Sequence, residues 1–190
     1  MGLSVYLYLA LLAAVGLLRL IELRISRRHQ ESLLASGAVP VPEPHFKWIV
    51  LIHTGVLIGA AVEVIALRRP FLPILAAVMF ALTLASNLVR LWVILTLGNL
   101  WSVHVMDSTR LGVVTGGPFR FVRHPNYAAV FVELFALPMI HTAWITAAVT
   151  PLAFSWVLSR RVPAEEAVLM ASPEYRAAMG RKPRFFPGLF

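Results

Sequence analysis

A chain of 190 residues that is 59% hydrophobic and only 14% charged, with mean hydropathy +0.78, is too apolar for a soluble domain and has the composition of an integral membrane protein. Its formal charge of +8 is not gathered in a basic block interleaved with aromatics, which argues against a nucleic-acid grip and for basic loops at an anionic membrane surface. The lack of cysteine excludes disulfides, thiolate nucleophiles, thiolate zinc sites and iron–sulfur clusters.

The first apolar run, 3–18, has no basic residue before it and Arg19, Arg24, Arg27 and Arg28 after it. A secretory signal has the reverse order, so the run predicts a retained span over about 3–23 with its amino end outside. A polar segment follows over 24–45, with prolines at 40, 42 and 44. The second span covers 46–67. The turn "ALRRPF" then places Pro70 to begin a third helix, over 71–97 and long enough to tilt. A glycine-rich polar segment occupies 98–123. A fourth run, 125–140, opens on Pro125, which suits the first helical position. After "HTAW" a fifth run returns over 143–158, so the two form an antiparallel hairpin whose arms sit near the lower length limit for crossing the bilayer.

In the tail, "EEAVLM" reads as a helical segment. Ser172 then caps a helix that begins at Pro173, carries Glu174 in its first turn and stops at Gly180. Loop charges set the orientation. Arg24, Arg27, Arg28, Lys47, Arg110, Arg120, Arg123, Arg160, Arg161 and the tail lie on one side, and Arg68 and Arg69 on the other. The basic side is the cytoplasmic one. The expectation is an all-α integral membrane helical bundle of about five transmembrane helices, amino end outside, with a cytoplasmic C-terminal helical tail. Residues 1–97 supply three spans, and residues 98–190 a loop, a hairpin and the tail. The arginine- and alanine-rich, lysine-poor usage points to a bacterial inner membrane.

Chemistry concentrates at "RHPNY", 123–127. Proline disfavours helix at His124, which leaves that residue in extended backbone at the helix mouth. The first N–H groups of a helix are unpaired, and beside Arg120, Arg123 and His124 they suit a carboxylate or phosphate. Asn126 adds a hydrogen-bonding amide and Tyr127 a ring that can stack. The bland alternative is a snorkelling basic collar. Glu165 and Glu166 offer carboxylates to an ammonium group or a ribose, or else form a solvated face paired with Arg160, Arg161 or Arg176. Within the spans, Glu63, Asn87, Arg90 and Glu133 are costly in lipid and expected to face the bundle interior or a cavity. Arg90 with Glu133 reads as a buried pair, serving either the bundle or a ligand, and Glu63 as interfacial. His104 sits in "NLWSVHVMD" as an interfacial residue near the site. His29, His45, His53 and His141 show no metal-ligand spacing, and no HExxH, P-loop, nucleophile elbow or dinucleotide glycine fingerprint occurs.

Three stretches carry a resemblance: "TLGNLWS" at 96–102, "GVVTGGPFRFVRHPNY" at 112–127 and "EEAVLMASPEY" at 165–175. In this order they make the carboxyl-terminal half similar to the isoprenylcysteine carboxyl methyltransferase family, integral membrane enzymes that use S-adenosylmethionine. The resemblance implies a cofactor pocket at the cytoplasmic surface. Arg123, His124, Pro125 and Tyr127 would form one wall, with Asn126 among them, and Glu165 and Glu166 the other. Tyr127, Phe131 or Leu169 would flank the adenine. A hydroxyl acceptor needs a base, for which Glu133, His104 and His124 are candidates; a carboxylate acceptor needs none. Arg90 would orient an anionic acceptor.

The "RHPNY" start followed by Glu133 resembles a bacterial subgroup. It implies O-methylation of a small lipophilic hydroxyl or carboxyl compound that enters from the bilayer. Neither a metal nor a nucleic acid is expected as a partner. Two other enzymes stand beside this reading. One is carboxyl methylation of an isoprenylated protein terminus. The other is an NADPH-dependent sterol- or enone-type reductase, whose family carries a similar arginine–histidine–x–asparagine–tyrosine segment. The acidic pair suits a cofactor with an ammonium group better than one with an extra phosphate. A transporter would show a duplicated half, and none is visible.

Overall fold

The structure, a computed structural model, describes residues 2–43 and 45–186. Pro44 of the proline-rich turn and residues 187–190 of the tail lie outside the described residues. Among the described residues six α-helices follow in chain order: α1 (Leu3–Ala35), α2 (Phe46–Ala66), α3 (Pro73–Leu97), α4 (Pro125–Met139), α5 (Trp144–Leu169) and α6 (Pro173–Met179). The strand content described is one short antiparallel pair, β1 (Val39–Pro40) with β2 (Met106–Asp107). It staples the loop after α1 to the loop after α3. The all-α expectation holds.

α1, α2 and α3, the last taken through Leu100, are long and apolar enough to cross a membrane. Their outer faces expose Leu7, Ile58, Ile74 and Leu95, side chains that lipid solvates and water does not. Three of the five expected spans are thus candidates by length and composition. α4 has 15 residues and reaches about 22 Å, short of the ~30 Å hydrocarbon core. Nearly every face of α4 is covered instead, with Ala129, Val130, Leu134, Ala136 and Leu137 all buried. It packs between α3 and α5, while α2 leans on α5 and α1 on α2. That is why the α4 sequence is apolar all round rather than striped.

Several boundaries move for physical reasons. α1 runs on to Ala35, past the expected end near 23. Residues 24–35 hold good helix formers and no glycine or proline. The stop comes at Gly37, whose φ of 87° a side chain would resist. α3 begins at Pro73, not Pro70. The Pro70 carbonyl instead accepts a 2.6 Å hydrogen bond from the Thr142 hydroxyl and fastens the α4–α5 turn. α5 continues unbroken through Pro151 and Pro163 to Leu169, so the "EE" segment belongs to the same helix as the fifth apolar run. α6 starts as expected, with the Ser172 side chain accepting from the Tyr175 N–H.

Buried charges knit the bundle. The expected Arg90–Glu133 pair does not form. Arg90 binds Glu22 at 2.5 Å, and Glu133 binds Arg19 at 3.0 Å. Arg19 also holds Glu22 at 2.6 Å and donates to the Asn87 side chain. The network therefore joins α1, α3 and α4 through a cation, Arg19, that reads in the sequence as a flanking charge. Glu63 is likewise more than interfacial. It is buried, takes Arg69 at 2.7 Å and accepts from the Ile145 and Thr146 N–H groups at 3.0 and 2.8 Å. It thus caps the start of α5 from the end of α2.

Arg19→Met should remove the cation shared by two carboxylates and lower stability by about 3–5 kcal/mol. The check is thermal unfolding in detergent. Adding Glu133→Leu should recover part of that loss, because the second change removes the carboxylate left unpaired.

Candidate functional site

The mouth of α4 is built by its proline. His124 has φ −125° and ψ 60°, outside the helix, and Pro125 is the first helical residue, as the restriction on a residue before proline requires. The preceding turn, Gly116–Pro118, packs directly on the end of α3. Gly117 has φ 54°, and a Cβ there would collide with the Thr96 hydroxyl. Only glycine allows this approach.

Glu166 is the hub of the site. It is 7% exposed. His124 Nε2 lies 3.0 Å from it, Arg123 at 3.2 Å and Arg184 at 2.7 Å. Burial alone would raise this carboxyl, but hydrogen bonds from His124 and Arg184, with the field of Arg123, outweigh it and hold it at about 2. The same segment covers the helix mouth through its backbone. The Arg123 N–H donates to the Pro183 carbonyl at 2.9 Å and the His124 N–H to the Arg184 carbonyl at 2.8 Å. The anion site expected from free N–H groups is therefore partly closed by the tail.

Beside the hub, the Tyr127 hydroxyl donates to Glu165 at 2.5 Å and accepts from Arg161 Nε at 2.8 Å. Its ring stacks on His124 with centroids 5.4 Å apart. Arg161 also reaches Glu43 at 2.5 Å and the Val103 carbonyl at 2.6 Å. The loop after α1 is thereby drawn over the site.

Two adjoining cavities of about 170 Å³ each meet at this cluster, sharing Arg123, Tyr127, Arg161 and Glu165. The outer one is walled by His104, Val113, Val114, Leu169, Tyr175 and Met179. The inner one reaches into the bundle, to His53, Arg90, Val93, Pro125, Asn126 and Phe154. Around them three buried polar atoms find no partner among the described residues: Asn126 Oδ1, Arg123 Nε and Arg90 Nε. A third, apolar groove of about 500 Å³ runs between α4 and α5, past Phe131, Leu158 and Phe185, and ends on Tyr127.

Most of the residues singled out in the sequence converge here: Arg123, Tyr127 and Glu165 at the junction, Arg90, His124, Pro125 and Asn126 inside, and His104 and Leu169 outside. His104 is stacked on Phe46 at 3.8 Å. Two residues stand apart. Glu166 faces Arg123, His124 and Arg184 rather than either cavity. Glu133 is bound by Arg19 and borders only a void of about 10 Å³. Sequence reasoning missed Arg184, Glu43 and His53, and gave Arg161 only as a partner for a solvated acidic face. The signal for Arg161 was its place four residues before Glu165, on one helical face. Arg184 and Glu43 gave none, since their partners are remote in the chain.

A sequence profile of the isoprenylcysteine carboxyl methyltransferase family matches residues 77–171. An uncharacterized protein of Bacillus subtilis, YpbQ, is 26% identical over 163 residues, covering 84% of this chain and 94% of that protein. An uncharacterized protein of Haemophilus influenzae is 26% identical over 162 residues, covering 83% and 91%. The nickel-cobalt-cadmium resistance protein NccN of Alcaligenes xylosoxydans is 31% identical over 96 residues, covering 50% of this chain and 45% of that one. Among the described residues, no group of three or more His, Cys, Asp or Glu is placed to hold a metal ion.

Glu166→Gln should lower stability by roughly 3 kcal/mol at neutral pH. Because the folded carboxyl lies below its ordinary value of 4.5, its contribution is complete above about pH 4.5 and lost as the pH falls toward 2. The gap in unfolding temperature between wild type and Glu166→Gln should close over that interval.

Proposed function

The chain belongs to the isoprenylcysteine carboxyl methyltransferase family, and from that premise we propose that it O-methylates a small lipophilic hydroxyl or carboxyl compound at the junction of its two cavities. Membership makes it a membrane methyltransferase dependent on S-adenosylmethionine, acting on a small lipophilic group. In this reading the outer cavity takes the cofactor from the cytoplasm, the inner cavity takes the acceptor from the bilayer, and the chain lies with its amino end outside and its carboxyl end inside.

One observation carries the reading. The unpartnered buried atoms beside the junction are of both kinds: Arg123 Nε needs an acceptor, and Asn126 Oδ1 needs a donor. An amino-acid moiety presents both a carboxylate and an ammonium. Glu165, at the junction, adds a carboxylate for the ammonium or a ribose, while Glu166 braces Arg123 and His124 from behind. Val113, Val114 and Leu169 give an apolar setting for a purine. When bound, S-adenosylmethionine supplies a methyl group on a sulfonium centre. The protein's own work is to align the acceptor oxygen and exclude water. Tyr127 and Arg161 hold Glu165 in place, and the loop carrying Glu43 shields the junction. The apolar groove between α4 and α5, which ends on Tyr127, suits an acceptor that arrives through lipid.

Purified protein should be stabilised on heating by S-adenosylmethionine and by its demethylated product, and not by NADPH. Glu165→Gln should weaken S-adenosylmethionine binding roughly tenfold in calorimetry, the scale of one charge-assisted hydrogen bond. Stabilisation by NADPH alone would sink the reading.

A further inference from the structure

His53 stands on α2, seven residues past the start of that helix at Phe46, about 10 Å into the bundle. It lines the inner cavity together with Arg90, Val93 and Phe154. Its ring is held edge-on to Phe154, with centroids 6.3 Å apart. Nδ1 lies 2.8 Å from the Ile49 carbonyl. A carbonyl can only accept, so Nδ1 carries the proton of the neutral ring. Nε2 is then left with its lone pair. The bond to Ile49 thus fixes one tautomer and makes Nε2 a proton acceptor inside a largely apolar chamber.

The other base candidates fit the inner cavity less well. Glu133 is held by Arg19 and does not line it. His104 lines the outer cavity, and His124, though it lines the inner one, has its Nε2 taken up by Glu166. The charged groups whose fields reach His53 are Arg90 on α3, Arg19 on α1 and Glu133 on α4. From α5 the neighbour is the uncharged Phe154.

Resting on the methyltransferase reading above, we propose that His53 is the general base of the reaction, and that the acceptor is therefore a lipophilic hydroxyl, a phenol or an enol, rather than a carboxylic acid. A carboxylate is already ionised and has no proton to give up, so a base in the acceptor cavity would have no part in its methylation. With a hydroxyl, the oxygen–carbon bond to the methyl group forms as the methyl–sulfur bond breaks. Sulfur keeps the bonding pair and becomes a neutral thioether. The hydroxyl proton passes to Nε2 of His53 and leaves for solvent after the ether departs. Arg90, on the same cavity wall with its Nε unpartnered, favours the negative charge that grows on the oxygen before the methyl arrives.

The test uses the full chain in detergent and three probes: dodecylphenol, dodecanoate and a nitrophenol with a dodecyl tail. His53→Gln keeps a polar side chain but no base. It should lower turnover of dodecylphenol roughly a hundredfold more than turnover of dodecanoate. In wild type, dodecylphenol turnover should fall on acidification as the ring protonates, with a steeper acid limb than dodecanoate shows. This measurement stands even if the variant does not fold. Independently of turnover, the bound nitrophenol should show its ionised absorbance band at a pH below its free ionisation point in wild type, and lose that band in His53→Gln.

An unchanged ratio of phenol to dodecanoate turnover in the variant would overturn the assignment of His53. So would matching acid limbs for the two acceptors, or an un-ionised bound nitrophenol in wild type. S-adenosylmethionine binding, measured by calorimetry on the same samples, separates the two levels of failure. If it binds and those results appear, His53 alone is misassigned; if it does not bind, the methyltransferase reading falls and takes His53 with it.

Discussion

Arg90, Glu22 and Glu133, all buried, with the part-buried Arg19 among them, set the terms for the rest of this molecule. Charges at bilayer depth are tolerated only when paired and turned inward. Arg19, Glu22, Arg90 and Glu133 meet that condition together, with Asn87 filling a remaining valence. Because the four come from α1, α3 and α4, neutralising them fixes how those helices sit on one another. The same network decides what the inner cavity presents. Glu133 is turned away to Arg19, and Arg90 lines the cavity with its Nε unpartnered. The floor of the chamber is therefore cationic and apolar, which suits a neutral acceptor that gains negative charge only as it reacts.

A second buried carboxylate does similar work at the mouth of α4. Glu166 gathers Arg123 and His124 from the α4 mouth and Arg184 from the tail, while Glu165, its neighbour in sequence, turns toward Tyr127. Adjacent residues on a helix point about 100° apart. One glutamate of the pair can therefore brace the wall while the other borders the space inside it. The division follows from helix geometry once α5 is known to continue to Leu169.

Much of this was legible in the sequence. The apolar runs, the proline at the mouth of α4, the placing of His124 just outside that helix and the cap at Ser172 all depend on local chemistry and appeared where expected. What the sequence hid depends on contacts between distant segments. Arg19 looked like a flanking charge because two of its partners, Asn87 and Glu133, lie 68 and 114 positions away. The Arg90–Glu133 pairing failed because a nearer carboxylate, Glu22, was available on a helix counted as plain apolar anchor. Pro70 was a good helix-starting signal, but its carbonyl is needed by Thr142, so the helix waits for the next proline. His53 carried no motif at all. Its meaning comes from a tautomer fixed by its own helix and a cavity that residues of three other helices line.

The choice of a histidine for that position has a physical logic. A carboxylate base in the inner cavity would stay ionised only with a cation beside it, and the cation would hold the lone pair needed for the proton, as Arg19 does with Glu133. A neutral imidazole needs no such partner. It tolerates burial among Ile49, Val93 and Phe154, and becomes charged only when the acceptor oxygen becomes negative, so the two charges arise together and offset each other. Arg90 then meets an anion that exists only during the reaction, which is where a buried cation contributes most to rate and least to idle binding.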